Sequence, residues 1–328
     1  MKITMAHGSG GKATSELIES IFEKTFDDPV LSKMEDSAVL PGAGRIALTT
    51  DSFVVTPLFF PGGDIGRLCV CGTVNDLLMS GAEPKYLTCG FILEEGAETD
   101  DLKKIARSMS ETAKEAGVRI VAGDTKVVEG SGEVYINTAG VGFVPDGADV
   151  GAENCSEGDA VLLSGNLGDH HAAILSRRMG IRNTIQSDCA PLVEMVSAMK
   201  KGGVRIHAMR DVTRGGLGTV LNEFASASGC VIELEEKDLP VSEQVRGLCG
   251  VLGLDPLYMG NEGKMVAVVA AEDAEKALAC IRGSRYGENA TRIGRVGAPG
   301  ESVVLLKTLI GGTRVVGPLY GEGLPRIC

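Results

Sequence analysis

The residues that could do chemistry in this sequence are a thiol at one end and a set of carboxylates along the rest. The chain ends Leu324-Pro325-Arg326-Ile327-Cys328, after Gly317-Pro318-Leu319-Tyr320-Gly321-Glu322-Gly323. Glycine and proline there remove helix and ladder hydrogen bonds. The segment reads either as a loose arm carrying a nucleophile or as a frayed tail whose final cysteine is incidental. From Gly311 onward, at roughly 3.3 Å per residue, such an arm could reach on the order of 60 Å. Four aspartates, Asp36, Asp51, Asp76 and Asp124, sit where apolar runs end. Any one of them could be a helix cap or turn residue. As a set they could hold Mg²⁺, which takes hard oxygen ligands and bridges one or two carboxylates to nucleotide phosphates.

Cations stand near these acids. His7-Gly8-Ser9-Gly10-Gly11-Lys12 offers a glycine-rich backbone and a lysine, the parts that wrap a phosphate, although it lacks the ending of a Walker loop and also reads as a flexible terminus. Gly123-Asp124-Thr125-Lys126 puts a lysine two residues beyond an aspartate, able to neutralise phosphate or polarise a carbonyl. Asp211-Val212-Thr213-Arg214-Gly215-Gly216 gives an acid, an arginine and glycines ahead of an expected helix, a pattern suited to anions or to an ordinary turn. Asn261-Glu262-Gly263-Lys264 precedes an apolar run, which puts Glu262 at a cleft or on a surface turn. His170 and His171 are adjacent and point about 100° apart on a helix, so a shared metal is not expected.

These residues need a scaffold of alternating strands and helices. Leu102, Ile105, Met109 and Ala113 recur at helical spacing, which predicts a helix over 101–117 with Thr99 or Asp100 as cap and Gly117 as stop. Strands are expected over 118–122, 133–143, 160–164, 231–234 and 265–269, and helices from Asp169 and over 212–227. The polar, glycine-rich stretch 145–158 divides the chain into a domain over 1–150 and another over 151–315, with a tail over 316–328. At 328 residues, two domains are the natural partition. Cys69 and Cys71 are expected in a strand or at a helix start.

Composition excludes several classes of function. A net charge of −12 argues against nucleic acid, whose binding needs clustered Lys and Arg. No apolar run approaches the roughly 20 residues of a membrane span, and the amino terminus lacks a signal-peptide pattern, so a cytoplasmic protein is expected. Nine cysteines show neither a disulfide framework nor four-ligand zinc spacing.

Taken in order, the amino-terminal glycine loop, Glu35-Asp36-Ser37-Ala38-Val39, Thr49-Thr50-Asp51, Asn75-Asp76-Leu77-Leu78-Met79-Ser80-Gly81-Ala82-Glu83-Pro84, Gly123-Asp124-Thr125-Lys126, Asp211-Val212-Thr213-Arg214-Gly215-Gly216 and the terminal Pro325-Arg326-Ile327-Cys328 resemble the HypE family of hydrogenase maturation factors. The resemblance covers essentially the whole chain. The wider superfamily includes aminoimidazole ribonucleotide synthetase, selenophosphate synthetase and thiamine-monophosphate kinase, all ATP-using. His171 departs from the family's usual glycine.

The resemblance implies an α/β (α+β) two-domain ATP-binding fold of the aminoimidazole ribonucleotide synthetase type, with a flexible tail. It implies a homodimer whose amino-terminal domains share a β-barrel. ATP would be met by Gly10, Gly11, Lys12, Asn75, Thr125, Thr213 and Arg214, and Mg²⁺ by Asp36, Asp51, Asp76, Asp124 and Asp211. Cys328 would receive a carbamoyl group from the carbamoyltransferase HypF, and ATP-dependent dehydration would turn it into a thiocyanate. Lys126 is assigned to the activated oxygen and Glu262 to the base. The cyanide would pass to the HypC and HypD complex for the iron of nickel-iron hydrogenase. The competing readings are a superfamily kinase or synthetase acting on a free small molecule, and a nucleotide-gated thiol carrier.

Overall fold

The computed structural model describes residues 2–8, 16–33 and 40–319. The first half contains strand β1 (Ile46–Phe53), helix α1 (Ile65–Met79), strand β2 (Glu83–Glu94), helix α2 (Thr99–Ala116) and strands β3 (Arg119–Val128) and β4 (Val134–Phe143). The strands form a four-stranded sheet in the order β1-β4-β2-β3, with β2 and β3 parallel and the other pairs antiparallel. α2 carries the expected stripe of Leu102, Ile105, Met109 and Ala113, all buried, and stops at Gly117, whose φ of 69° suits glycine. Its start differs from expectation: the helix begins at Thr99, and the cap Glu98 makes no side-chain capping bond.

α1 is buried around almost its whole circumference; only Arg67 and Asp76 are partly exposed. Cys69 and Cys71 lie within it, not in a strand or at its start, because a helix apolar on all sides leaves no periodic stripe to read. Asp64 opens it by accepting from Gly66 N and Arg67 N at 2.7 and 3.0 Å. The helix lies close on the sheet because a glycine stands where they touch. A Cβ at Gly140 would fall 2.7 Å from Thr73 Cγ2 and 2.9 Å from Leu77 Cδ1.

The second half contains β5 (Ala160–Leu163), α3 (Asp169–Arg178), α4 (Val193–Lys201), β6 (Ile206–Asp211), α5 (Gly216–Ser228), β7 (Cys230–Glu235), α6 (Glu243–Leu252), β8 (Met265–Val269), α7 (Ala274–Arg282), β9 (Thr291–Pro299), β10 (Val304–Lys307) and β11 (Thr313–Val316). Its seven-stranded sheet runs β11-β10-β7-β9-β5-β8-β6. β5 and β8 are buried on both faces, which explains their unbroken apolar sequences. The expected helix over 212–227 starts four residues late, since Gly215 and Gly216 turn at φ of 83° and 65°. A Cβ at Gly216 would lie 2.5 Å from the Leu257 carbonyl oxygen. The expected arm from Gly311 also begins later, because Thr313–Val316 pair with β10 and Val316 is fully buried.

One apolar cluster spans both halves. It runs from Leu68 and Val70 of α1 through Leu192, Met195 and Met199 to Ala160, Leu162, Met265 and Ala267 of the second sheet. The irregular segment 182–192 is clamped in between. Asn75 of α1 donates to the Ala190 carbonyl at 3.0 Å and accepts from Leu192 N at 2.9 Å. Arg67 Nε donates to the Cys189 carbonyl at 2.8 Å, and Ser187 N donates to the Pro61 carbonyl at 2.7 Å. Asn75→Ala would leave two buried backbone groups unpaired. It is expected to lower stability by about 2–4 kcal/mol in urea unfolding, and an unchanged midpoint would show that this bracket holds nothing.

Candidate active site

The two sheets bring acids together between them. Asp51 lies on the helix-facing side of β1, Asp76 projects from the last turn of α1, and Asp211 ends β6. The Asp51 and Asp76 carboxyls stand within hydrogen-bonding reach of each other, and Thr49 Oγ1 donates to Asp76 Oδ2 at 2.8 Å. Burial pushes Asp76 up to about 6, with the Asp51 charge adding and Arg210 opposing. Burial, and then the charges of Asp76 and Asp51, push Asp211 up to about 7. Glu262 is buried at the head of β8, and desolvation drives it well above the usual carboxylate range. Cys189, Asp211, Asp188 and Asp51 add to that shift, so Glu262 faces the same acids.

Such crowding of like charge is relieved either by protons or by a cation. Among the described residues no three acidic, cysteine or histidine side chains converge closely enough to hold a metal alone. The Asp51 and Asp76 pair fits the manner in which Mg²⁺ is held beside nucleotides, by one or two carboxylates completed with phosphate and water oxygens.

Other expected residues lie elsewhere. Gly10, Gly11, Lys12, Asp36 and Cys328 fall outside the described residues. Asn75, expected at phosphate, is buried with its amide engaged by Ala190 and Leu192, so here it joins the two halves. Asp124 and Lys126 pair at 2.9 Å on the outward face of β3, opposite the face that Asp51 uses, while Thr125 points inward and is buried. Strand alternation separates them from the acid cluster within one chain. Thr213 and Arg214 occupy the turn ahead of α5, half-buried and exposed respectively. His171 is buried, its Nε2 has no hydrogen-bond partner, and burial lowers it to about 4, so it is a neutral packing residue.

Sequence reasoning missed two residues beside Glu262. Asp188 Oδ1 accepts from Glu262 N at 3.0 Å, and Lys264 Nζ stands 3.7 Å from Asp188 Oδ2. Asp188 sits in the irregular segment, where no periodicity marks it. Lys264 left a sign: a lysine directly ahead of the wholly apolar Met265–Val269 is a charge entering the interior. Both border a cavity of about 410 Å³ together with Arg67, Cys189 and Asp169.

The family model for the AIR synthase related protein, N-terminal domain, matches residues 34–144, and that for its C-terminal domain matches residues 156–307. The chain is 50% identical over 333 residues to a carbamoyl dehydratase HypE of Cupriavidus necator, covering 100% of this chain and 95% of that one. A crystal structure of a hydrogenase maturation protein HypE in complex with ATP superposes with a TM-score of 0.95 at 46% identity, covering 99% of each chain. A HypE structure in complex with HypF superposes with a TM-score of 0.80 at 48% identity, over 92% of this chain and 99% of that one.

The acid cluster sets a pH dependence. Asp211 has a folded pKa above its unfolded value, so its protonated form stabilises the fold at low pH, and that contribution is lost as pH rises toward about 7. Without divalent cation, Asp211→Asn should therefore melt a few degrees above wild type at about pH 8, with the gap narrowing below about pH 7 and closing only near about pH 4, where the unfolded aspartate is protonated too. Thermal unfolding with a chelator present checks this, and a gap independent of pH would contradict it.

Proposed function

The chain belongs to the HypE family of carbamoyl dehydratases, and from that premise we propose that it dehydrates a carbamoyl group carried on Cys328 to a thiocyanate at the expense of ATP. The gathering of Asp51, Asp76, Asp211 and Glu262 from both sheets into one cleft is the observation that carries the reading. An amide oxygen is a poor leaving group, and transfer of the γ-phosphoryl group makes it a good one. The amide protons must then leave for the carbon–nitrogen triple bond to form. Glu262, buried and with raised proton affinity, is suited to take one. Bound Mg²⁺ would offset phosphate charge; Asp51 and Asp76 would hold it, with Asp211 alongside. Tethering the substrate to the chain that transforms it supplies a high effective concentration.

The partners follow from the same reading. HypF would load Cys328, as the relative crystallised with HypF supports, and the HypC and HypD complex would take the cyanide onward in the cytoplasm. A homodimer is favoured by the outward face of the first sheet, where Ile46, Leu48, Ile92 and Val128 are 53%, 68%, 44% and 40% exposed on one surface. Two such faces packed together would make the shared barrel. The roles of Lys126 at the activated oxygen and Asp124 at the metal depend on that pairing, because both lie on this face. Gly10, Gly11, Lys12, Thr125, Thr213 and Arg214 remain proposed contacts to nucleotide, and Asp36 a proposed metal ligand.

Intact mass after treatment with the carbamoyl donor system and then ATP tests this. Wild type should gain a carbamoyl group and then lose one water, and Cys328→Ala should gain nothing. Glu262→Gln should keep ATP binding and the adduct while dehydration slows by about 10²–10⁴-fold. Full dehydration by Glu262→Gln would remove it as the base. ATP turnover on a free small molecule by Cys328→Ala would favour the superfamily kinase reading.

A further inference from the structure

The backbone of Glu262 is bracketed by the irregular segment it lies against. Its N–H donates to Asp188 Oδ1 at 3.0 Å, and its carbonyl accepts from Ala190 N at 3.3 Å. The two stretches of chain run so close that a Cβ at Gly263 would fall on the Asp188 carbonyl oxygen and 2.8 Å from Ala190 N. Residues 188–190 and Glu262 therefore move together. Cys189 stands between the two bracketing residues, and its carbonyl accepts from Arg67 Nε at 2.8 Å. Asn75 holds the same segment from within the core, whereas Arg67 holds it from the border of the 410 Å³ cavity.

Arg67 is itself aimed by other side chains. Its Nη1 donates to Glu115 Oε2 at 2.9 Å and lies 3.5 Å from Thr112 Oγ1, both on α2, while its Nη2 donates to the Tyr286 hydroxyl at 3.1 Å. The Tyr286 hydroxyl donates in turn to Glu115 Oε1 at 2.5 Å, which closes a ring of Arg67, Glu115 and Tyr286. Arg285 Nη1 reaches the same Glu115 oxygen at 3.0 Å. A guanidinium presents its donors in one rigid plane, so engaging Nη1 and Nη2 leaves Nε a single direction. That direction is the Cys189 carbonyl. Tyr286 holds a left-handed φ of 69°, a conformation that a bulky residue keeps only where its surroundings impose it, and here it places the hydroxyl that orients Arg67.

We propose that Arg67 is a positioning residue for Glu262: aimed by Glu115 and Tyr286, its Nε fixes the Cys189 carbonyl, and segment 188–190 carries that order to the Glu262 backbone. This rests on the reading of the chain as a carbamoyl dehydratase with Glu262 as base. Arg67 acts only through the chain it holds. The ring joins the end of α2 in the first half to the turn that follows α7 in the second, so the placement of the base depends on the two halves keeping their register. The side chains of Arg67 and Glu115 are 19% and 21% exposed, and ion pairs open to water add little to stability. Direction is what the ring supplies.

Arg67→Ala removes the hold, whereas Tyr286→Phe leaves Arg67 in place and deletes only the hydroxyl that aims it. Full-length chains carrying each, loaded by the carbamoyl donor system and followed by intact mass in single turnover with ATP, should reach the wild-type adduct and bind ATP unchanged. Loss of water should slow about a hundredfold in Arg67→Ala and about tenfold in Tyr286→Phe, since a small misplacement of a reacting group is costly. The mild Tyr286→Phe variant decides the matter should Arg67→Ala misfold. In a Glu262→Gln background neither change should slow water loss further, because a residue that acts through Glu262 has nothing left to place. Water loss at the wild-type rate in the single variants, or the same slowing with Glu262 already replaced, overturns the positioning role while leaving the dehydratase reading intact. A wild-type adduct that never loses water overturns the reading itself.

Discussion

Carboxylates that repel one another are held in a poorly solvated cleft, and much of the architecture serves to keep them there. Asp51 comes from a strand, Asp76 from a helix, Asp211 from the end of β6 and Glu262 from the bend ahead of β8. Separately, each would relax toward water. Burial, and then repulsion among these charges, raises the proton affinity of Asp76, Asp211 and Glu262, an arrangement suited to a positive charge. The cost is borne by packing: α1 buries nearly every residue it has, and the apolar cluster behind it continues into the second half without a break. The clamp on segment 182–192 then fixes Asp188 against the Glu262 backbone.

Much of this was legible in the residues themselves. The stripe of Leu102, Ile105, Met109 and Ala113 gave α2, and the apolar runs gave β5 and β8. Asp51, Asp76, Asp211 and Glu262 could be picked out because each closes or opens an apolar run. Other features depended on three-dimensional register. Asp124 reads like Asp51 in sequence, yet the pleat turns it to the opposite face. Helix α5 starts late because Gly215 and Gly216 adopt left-handed angles, with Gly216 against the Leu257 and Tyr258 backbone, a steric fact that sequence spacing does not carry. Asn75 looks like a phosphate ligand until its amide is seen bridging to Ala190 and Leu192. Asp188 lies in a segment with no periodicity at all.

The acid cluster and the 410 Å³ cavity offer two different environments. On one side carboxylates crowd without enough cations, an arrangement suited to metal and phosphate. On the other, Lys264, Arg67 and Arg285 stand among Asp169, Asp188 and Glu288, a mixed lining suited to a neutral polar group such as an amide. Glu262 stands between, buried, touching Asp188 through its backbone and feeling Asp211 and Asp51 through space.

The central claim is that the acid cluster holds protons which a metal–nucleotide complex must displace. Titration calorimetry of Mg²⁺ and ATP into the protein, repeated in buffers of different ionisation enthalpy between about pH 6 and about pH 7, where Asp76 and Asp211 titrate, measures this directly. The account predicts net proton release on binding that disappears well above that range. Binding with no proton release across it would contradict the account.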